Sequence, residues 1–210
     1  MIPPERSPER DAAIESLLPL VPFEGWTRAA LRTALRDSGG VPDDADLLFP
    51  GGVPDLLEAF CDLADRTMEA EAEGMDMTGL GLTKRVRAVI AIRLAQNRPH
   101  KEAVRRAVAL LALPANAAVS ARTAVRTVGA IWHAAGDRSA DFSWYTKRAI
   151  LASVYGLTLL YWLRDTSDED EATLAFLDRR LAGVGRIGKL RGRAERVVHR
   201  FIPRGHAETA

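Results

Sequence analysis

From Ala149 to Leu163 the chain runs fifteen residues without a charged side chain or a proline. As a helix this run extends roughly 22 Å, short of the roughly 18 to 20 apolar residues of a membrane span. A soluble helix that is apolar on nearly all faces is normally buried at the centre of an α-domain, so the run predicts a central helix. Two stripes follow from helical spacing: Ile150, Val154, Leu157 and Tyr161, and Leu151, Tyr155, Thr158 and Trp162. Both suit a packed core, and both suit the wall of an apolar pocket between bundle helices. Gly156 is the odd residue. Inside a helix glycine costs about 1 kcal/mol relative to alanine, so it marks either close packing or room for a ligand.

The remaining pattern is helical throughout. No hairpin turn separates alternating apolar runs, and no segment is rich in β-branched residues. Ser7-Pro8-Glu9 opens a helix with a capping hydroxyl, a first-turn proline and an acid near the positive end. Its stripe is Ile14, Leu17, Leu18 and Val21, and Pro22 limits it. Further helices are expected over residues 26–38, stopped by Gly39-Gly40, and around 44–49. Pro54 opens another, with Leu57, Cys61, Ala64 and Met68 inward. Residues 74–82 read as a glycine-rich loop, and helices follow over 83–96, 101–113 and 117–135. Ser167 with Asp170 has the form of a capping box for a final helix. The expected fold class is all-α, with about nine or ten helices. It divides into residues 1–78, an acidic region with a linker helix, residues 79–180, a helical core, and residues 181–210, a basic amphipathic helix and tail.

Charge is unevenly divided. Residues 1–78 carry 17 acidic against 6 basic side chains, and the remainder carry 23 basic against 11 acidic. Three short helices ahead of a long helical domain is the layout of tetracycline-repressor-type (TetR) regulators, with a degenerate N-terminal helix-turn-helix. The positions of a recognition helix hold Pro42, Asp43, Asp44, Ala45, Asp46, Leu47 and Leu48. Phosphate contacts need Lys or Arg, and base readout needs Arg, Asn or Gln. This segment has none, which argues against nucleic acid as a partner and against the alternative function, a ligand-responsive transcription regulator. At the other end, Arg179 to Arg204 holds nine Arg and Lys against one acid, Glu195. A basic helix with an apolar stripe fits an anionic membrane interface; equally, it fits a docked helix with a solvated basic face.

The single cysteine, Cys61, reads as a buried structural thiol. The four histidines, His100, His133, His199 and His206, have no carboxylate or second histidine at ligand spacing on the same face. No phosphate loop or nucleophile elbow is present. The chain therefore reads as a non-enzyme without cofactor or metal. The opening residues lack an apolar run, so a cytoplasmic location is expected. At the head of the apolar run, Trp144 and Arg148 are four apart, so the guanidinium has an indole to stack on. Trp, Tyr and Arg carry most interface energy, although aromatics at a helix start also serve to anchor it to a core.

The segment GDRSADFSWYTKRAILASVYGLTLLYWLRD closely resembles the signature of the ubiquinone-biosynthesis accessory proteins of the ninth Coq family, alphaproteobacterial type. LLFPGGVPDLLEAFCDLADRTM, RPHKEAVRRAVALLALPANA and RTVGAIWHAAGD support it, and together they span most of residues 26–190. The resemblance implies a TetR-like fold that does not bind DNA and a homodimer. It also implies a pocket for an isoprenoid, quinone or phospholipid ligand, and a non-catalytic role presenting a demethoxyubiquinone-type precursor to the di-iron hydroxylase. Carried onto this chain, the lipid site is Ile150, Leu151, Val154, Tyr155, Leu157, Thr158, Tyr161 and Trp162. The hydroxylase patch is Asp141, Trp144, Tyr145 and Arg148. The membrane contact is Leu190, Arg193, Val197, Arg200 and Phe201, which implies a location peripheral to the inner membrane face. Ser143 stands where the family pattern leads us to expect Asn, and Gly129 where it leads us to expect Asp.

Overall fold

The computed structural model describes residues 4–137 and 143–183 of the chain. Every regular element among them is helical. Ser7 has extended backbone, and its hydroxyl accepts from the Arg10 N–H to start α1 (Pro8–Leu17). Pro22 does not limit that helix. It lies in the first turn of a separate short helix, α2 (Val21–Glu24), a position where its missing N–H has no helical partner to lose. Gly25, with φ +73°, turns the chain. Thr27 then caps α3 (Arg28–Asp37) by accepting from the Ala30 N–H. Ile14, Leu17, Leu18 and Val21 are all buried, as their spacing predicts.

The segment expected to mimic a DNA reader forms a 3-10 turn, Pro42–Asp44, that runs into a single α-helical turn, α4 (Ala45–Leu48). Its Asp46 pairs with Arg28 at 3.0 Å and Arg32 at 2.7 Å. Asp55, Asp62 and Asp11 of this region are engaged in the same way. Arg10, almost fully buried, reaches Asp55 at 2.6 Å, donates to the Leu48 carbonyl and lies over the Phe49 ring. Asp62 takes Arg6 and Arg66, and Arg66 also holds Asp11.

The long helix α5 (Val53–Glu73) is the centre of the molecule: it packs against α1, α6 (Leu82–Asn97) and α8 (Ala117–Ala134). Its buried Leu56, Leu57, Phe60 and Met68 form the seam. Between α6 and α8, α7 (Lys101–Leu111) closes one side. Trp26 ties the N-terminal helices to it by donating its indole N–H to the Ala103 carbonyl at 3.0 Å.

The uncharged run forms α9 (Ser143–Trp162), packed against α8 and α6. It is not the central helix that its composition predicts. Leu151, Val154, Thr158 and Trp162 make one buried stripe, whereas Ile150, Leu157, Leu160 and Tyr161 are exposed by 37, 44, 52 and 38%. Apolar residues on all sides arise here because a second face lines a cavity and a third faces outward. A final helix, α10, covers residues 171–183. Of the expected Ser167–Asp170 capping box only the serine half forms, the Ser167 hydroxyl accepting from the Ala172 N–H at 3.0 Å. Asp170 is buried against Arg98 at 2.8 Å, and the Thr173 N–H and hydroxyl turn instead to Asp165. An ion pair with a guanidinium is the stronger use for a buried carboxylate. Among the described residues no single helix is long and apolar enough to cross a membrane.

Candidate functional site

A partly open cavity of about 400 Å³ lies among α5, α6, α7, α8 and α9. Its walls are mostly apolar: Phe60, Leu94, Val104, Val108, Leu111 and Val128, with Leu159, Leu160 and Trp162 from α9. Small residues make the space. Ala107, Ala112, Ala124 and Ala152 line it together with Gly156. A Cβ added at Gly156 would meet no atom within 4 Å. The glycine therefore does not serve close helix packing; it leaves bare backbone against the void.

One part of the wall is polar. Arg93 projects from the buried stripe of α6 and donates from Nε to the Tyr155 hydroxyl at 2.9 Å. Its Nη1 lies 2.7 Å from Oδ1 of Asp65 on α5, and the Thr127 hydroxyl donates to Oδ2 of the same carboxylate at 3.0 Å. Arg93, Tyr155 and Thr127 all line the cavity. Burial pushes the Asp65 carboxyl up to about 6, against the pull of Arg93 and Thr127. Burial lowers Arg93, but the attraction of Asp65 together with that of Tyr155 and Cys61 outweighs it and holds the guanidinium protonated. Burial likewise raises the Tyr155 phenol, so it stays a neutral O–H. Cys61 lines the same cavity, and its thiol is pushed up to about 12 by burial. It is inert as a nucleophile, in keeping with a structural thiol.

The residues expected from the apolar run divide among different surroundings. Tyr155 and Trp162 line the large cavity. Ile150, Leu151 and Val154 line a second, smaller one of about 140 Å³ with Val86, Trp132 and Leu181. Thr158 is buried, and its hydroxyl donates to the Val154 carbonyl at 2.7 Å. Leu157 faces outward, and Tyr161 stacks on Phe176 at 4.6 Å. Arg148 is half-buried on α9. Asp141 and the side chains of Trp144 and Tyr145 lie outside the described residues, as do Leu190, Arg193, Val197, Arg200 and Phe201.

The polar cluster was missed in the sequence, yet it left a signal there. Arg93 falls at helical spacing with Val86, Val89 and Ile90, and Asp65 with Cys61 and Met68. A charge of each sign on the buried stripe of neighbouring helices calls for pairing.

The family relationship includes α8 and α9 and extends over most of the chain. The COQ9 family model matches residues 117–188. "Ubiquinone biosynthesis protein COQ9, mitochondrial" of Rattus norvegicus is 30% identical over 181 residues, 83% of this chain and 58% of that protein. The Homo sapiens protein of the same name is 30% identical, over 83% of this chain and 57% of its own length.

The chain is a relative of the COQ9 proteins.

The resemblance carried by the GDRSADFSWYTKRAILASVYGLTLLYWLRD segment holds on that comparison. The COQ9 protein of Drosophila melanogaster is 31% identical over 91% of this chain and 60% of its own. The chain thus spans about three fifths of the length of these COQ9 relatives. Among solved structures, a TetR transcriptional regulator from Nitrosomonas europaea superposes with a TM-score of 0.68, over 84% of this chain and 97% of that one. Identity between the two is 24%, so the likeness concerns the fold, which is TetR-like and all-α as expected.

Proposed function

We propose that this COQ9 relative serves ubiquinone biosynthesis as a non-catalytic lipid-binding accessory. An isoprenoid or quinone lipid occupies the cavity, and a demethoxyubiquinone-type precursor is presented from it to the di-iron hydroxylase at the membrane. The carrying observation is the cavity itself: its volume, about 400 Å³, falls in the range of roughly 300 to 1,000 Å³ of small-molecule sites. Its apolar walls recover roughly 25 cal/mol for each Å² of tail removed from water. A tail arriving from lipid has already gained that energy, so transfer is nearly neutral and reversible. This suits a carrier that must also release its cargo.

The remaining parts of the reading rest on the COQ9 relationship. The hydroxylase docks at the head of α9, around Asp141, Trp144, Tyr145 and Arg148. The basic region Arg186 to Phe201 approaches anionic lipid, which keeps the protein peripheral to the inner membrane face, and the protein acts as a homodimer. Native mass spectrometry with lipid extraction of the purified protein tests the core of the reading; absence of any co-purifying isoprenoid or phospholipid removes it. For the patch, Trp144→Ala weakens pull-down of the hydroxylase while lipid content is retained, and an unchanged pull-down sinks that assignment.

The TetR-like fold favours a second reading, a ligand-responsive transcription regulator. It needs a cationic recognition helix, but α4 is four residues long and its Asp46 already holds two arginines. Tight, sequence-selective gel shifts at physiological salt would revive it.

A further inference from the structure

We infer that the cavity orients its ligand, taking a neutral, oxygen-bearing headgroup against Arg93 and Tyr155 and the tail along the apolar walls. This rests on the proposal that the cavity holds a lipid and specifies which chemistry it accepts and where.

Three observations carry it. First, the Tyr155 oxygen accepts from Arg93 Nε, and this is its hydrogen bond among the described residues. Its own proton remains to be donated. Second, Arg93 Nη1 and Asp65 Oδ1 stand at ion-pair distance, but neither has an aligned hydrogen bond, although both are buried. A buried donor without an aligned acceptor is costly, and a ligand oxygen beside Arg93 supplies one. Third, the side-chain amide of Asn97 donates to the Arg93 carbonyl one turn away, and Asn97 too lines the cavity. Its amide oxygen adds an acceptor to a wall otherwise dominated by donors.

The charge balance selects the headgroup. Arg93 is already neutralised by Asp65 at 2.7 Å. A carboxylate or phosphate brought into the same low-dielectric pocket would add a second anion beside that carboxylate, with no further cation among the lining residues. A carbonyl oxygen accepts the same hydrogen bonds without that repulsion. A bare hydrocarbon, in contrast, leaves the Tyr155 proton and the Arg93 edge unmatched. The preferred class is therefore a neutral carbonyl-headed amphiphile. Tyr155 and Trp162 are seven residues apart on α9, about 10 Å along its axis, so the tail has wall to run along beyond the polar site.

Calorimetric titration of the full chain with three probes tests this: decylbenzoquinone, decylbenzene and decanoate. The quinone is expected to bind about tenfold tighter than the ring without carbonyls, and decanoate more weakly than the quinone. In Tyr155→Phe the quinone loses about five- to tenfold while decylbenzene is held as before, which also shows the cavity intact. Equal binding of quinone and decylbenzene to the unaltered chain overturns the inference. So does decanoate binding tightest, which would mark an anion site, or a quinone preference that survives in Tyr155→Phe. If that variant fails to fold, the ranking of the three probes on the unaltered chain decides alone. Binding of none of the probes is a different result: it removes the lipid-cavity reading and this inference with it.

Discussion

Arg93 and Asp65 show how much depends on single side chains. Both are more than nine-tenths buried and 2.7 Å apart, on helices that form the centre of the molecule. Removing one partner leaves the other charge uncompensated. Arg93→Met is expected to cost about 3–5 kcal/mol, measured by urea denaturation, and a change below 1 kcal/mol would mean the pair contributes little. The pH dependence has a defined sign. Because burial raises the Asp65 carboxyl from its ordinary 3.8 to about 6, the folded chain holds this proton more tightly than the unfolded one. Its contribution to stability is present below the unfolded value and lost as pH rises through about 6. Glu58 runs the other way: hydrogen bonding from Arg122 lowers it, despite partial burial and with further help from Arg126. Its contribution is present above the ordinary carboxylate range and lost as pH falls. Asp65→Asn should flatten the stability profile between about pH 4 and 6, and an unchanged slope there would contradict the assignment.

At the scale of the element, α9 shows why composition alone misplaced a helix. Absence of charge is compatible with burial against protein, with the wall of a void and with an outward apolar stripe, and α9 has all three. The three faces make separable predictions. Leu151→Ala, on the buried face, should cost about 2–5 kcal/mol. Leu157→Ala, on the outward face, should change stability by no more than about 0.5 kcal/mol. Gly156→Ala should stabilise the helix by up to about 1 kcal/mol, since the added methyl meets open space. Thermal or denaturant unfolding checks the set, and equal costs at Leu151 and Leu157 would refute this placement. Element starts were more legible than element centres. Ser7 caps as its chemistry requires, because a cap is a local bond between near neighbours. The acidic half of the Ser167–Asp170 box failed because Asp170 found Arg98, 72 residues away in sequence.

At the scale of the whole molecule, the charge partition is the feature with a direct readout. The excess of positive charge lies beyond residue 78 and the excess of acids before it. Adsorption to vesicles containing an anionic phospholipid should therefore occur at low ionic strength. It should fall steeply as salt shortens the screening length from about 10 Å at 0.1 M to 3 Å at 1 M. Sedimentation with vesicles measures it, and binding equal on neutral and anionic vesicles would exclude an electrostatic approach.

The sequence by itself determined the all-α class, the family relationship and, among the described residues, most helix boundaries to within a few residues. All of these follow from periodicity, caps and residue types along the chain. Only the tertiary structure decided that α5 rather than α9 is central, that small residues on α7, α8 and α9 leave a cavity, and that Arg93, Asp65 and Tyr155 meet at its wall. Those outcomes depend on which helix faces come together across 28 and 62 residues of chain. A void between helices is a property of their packing: no residue encodes it alone.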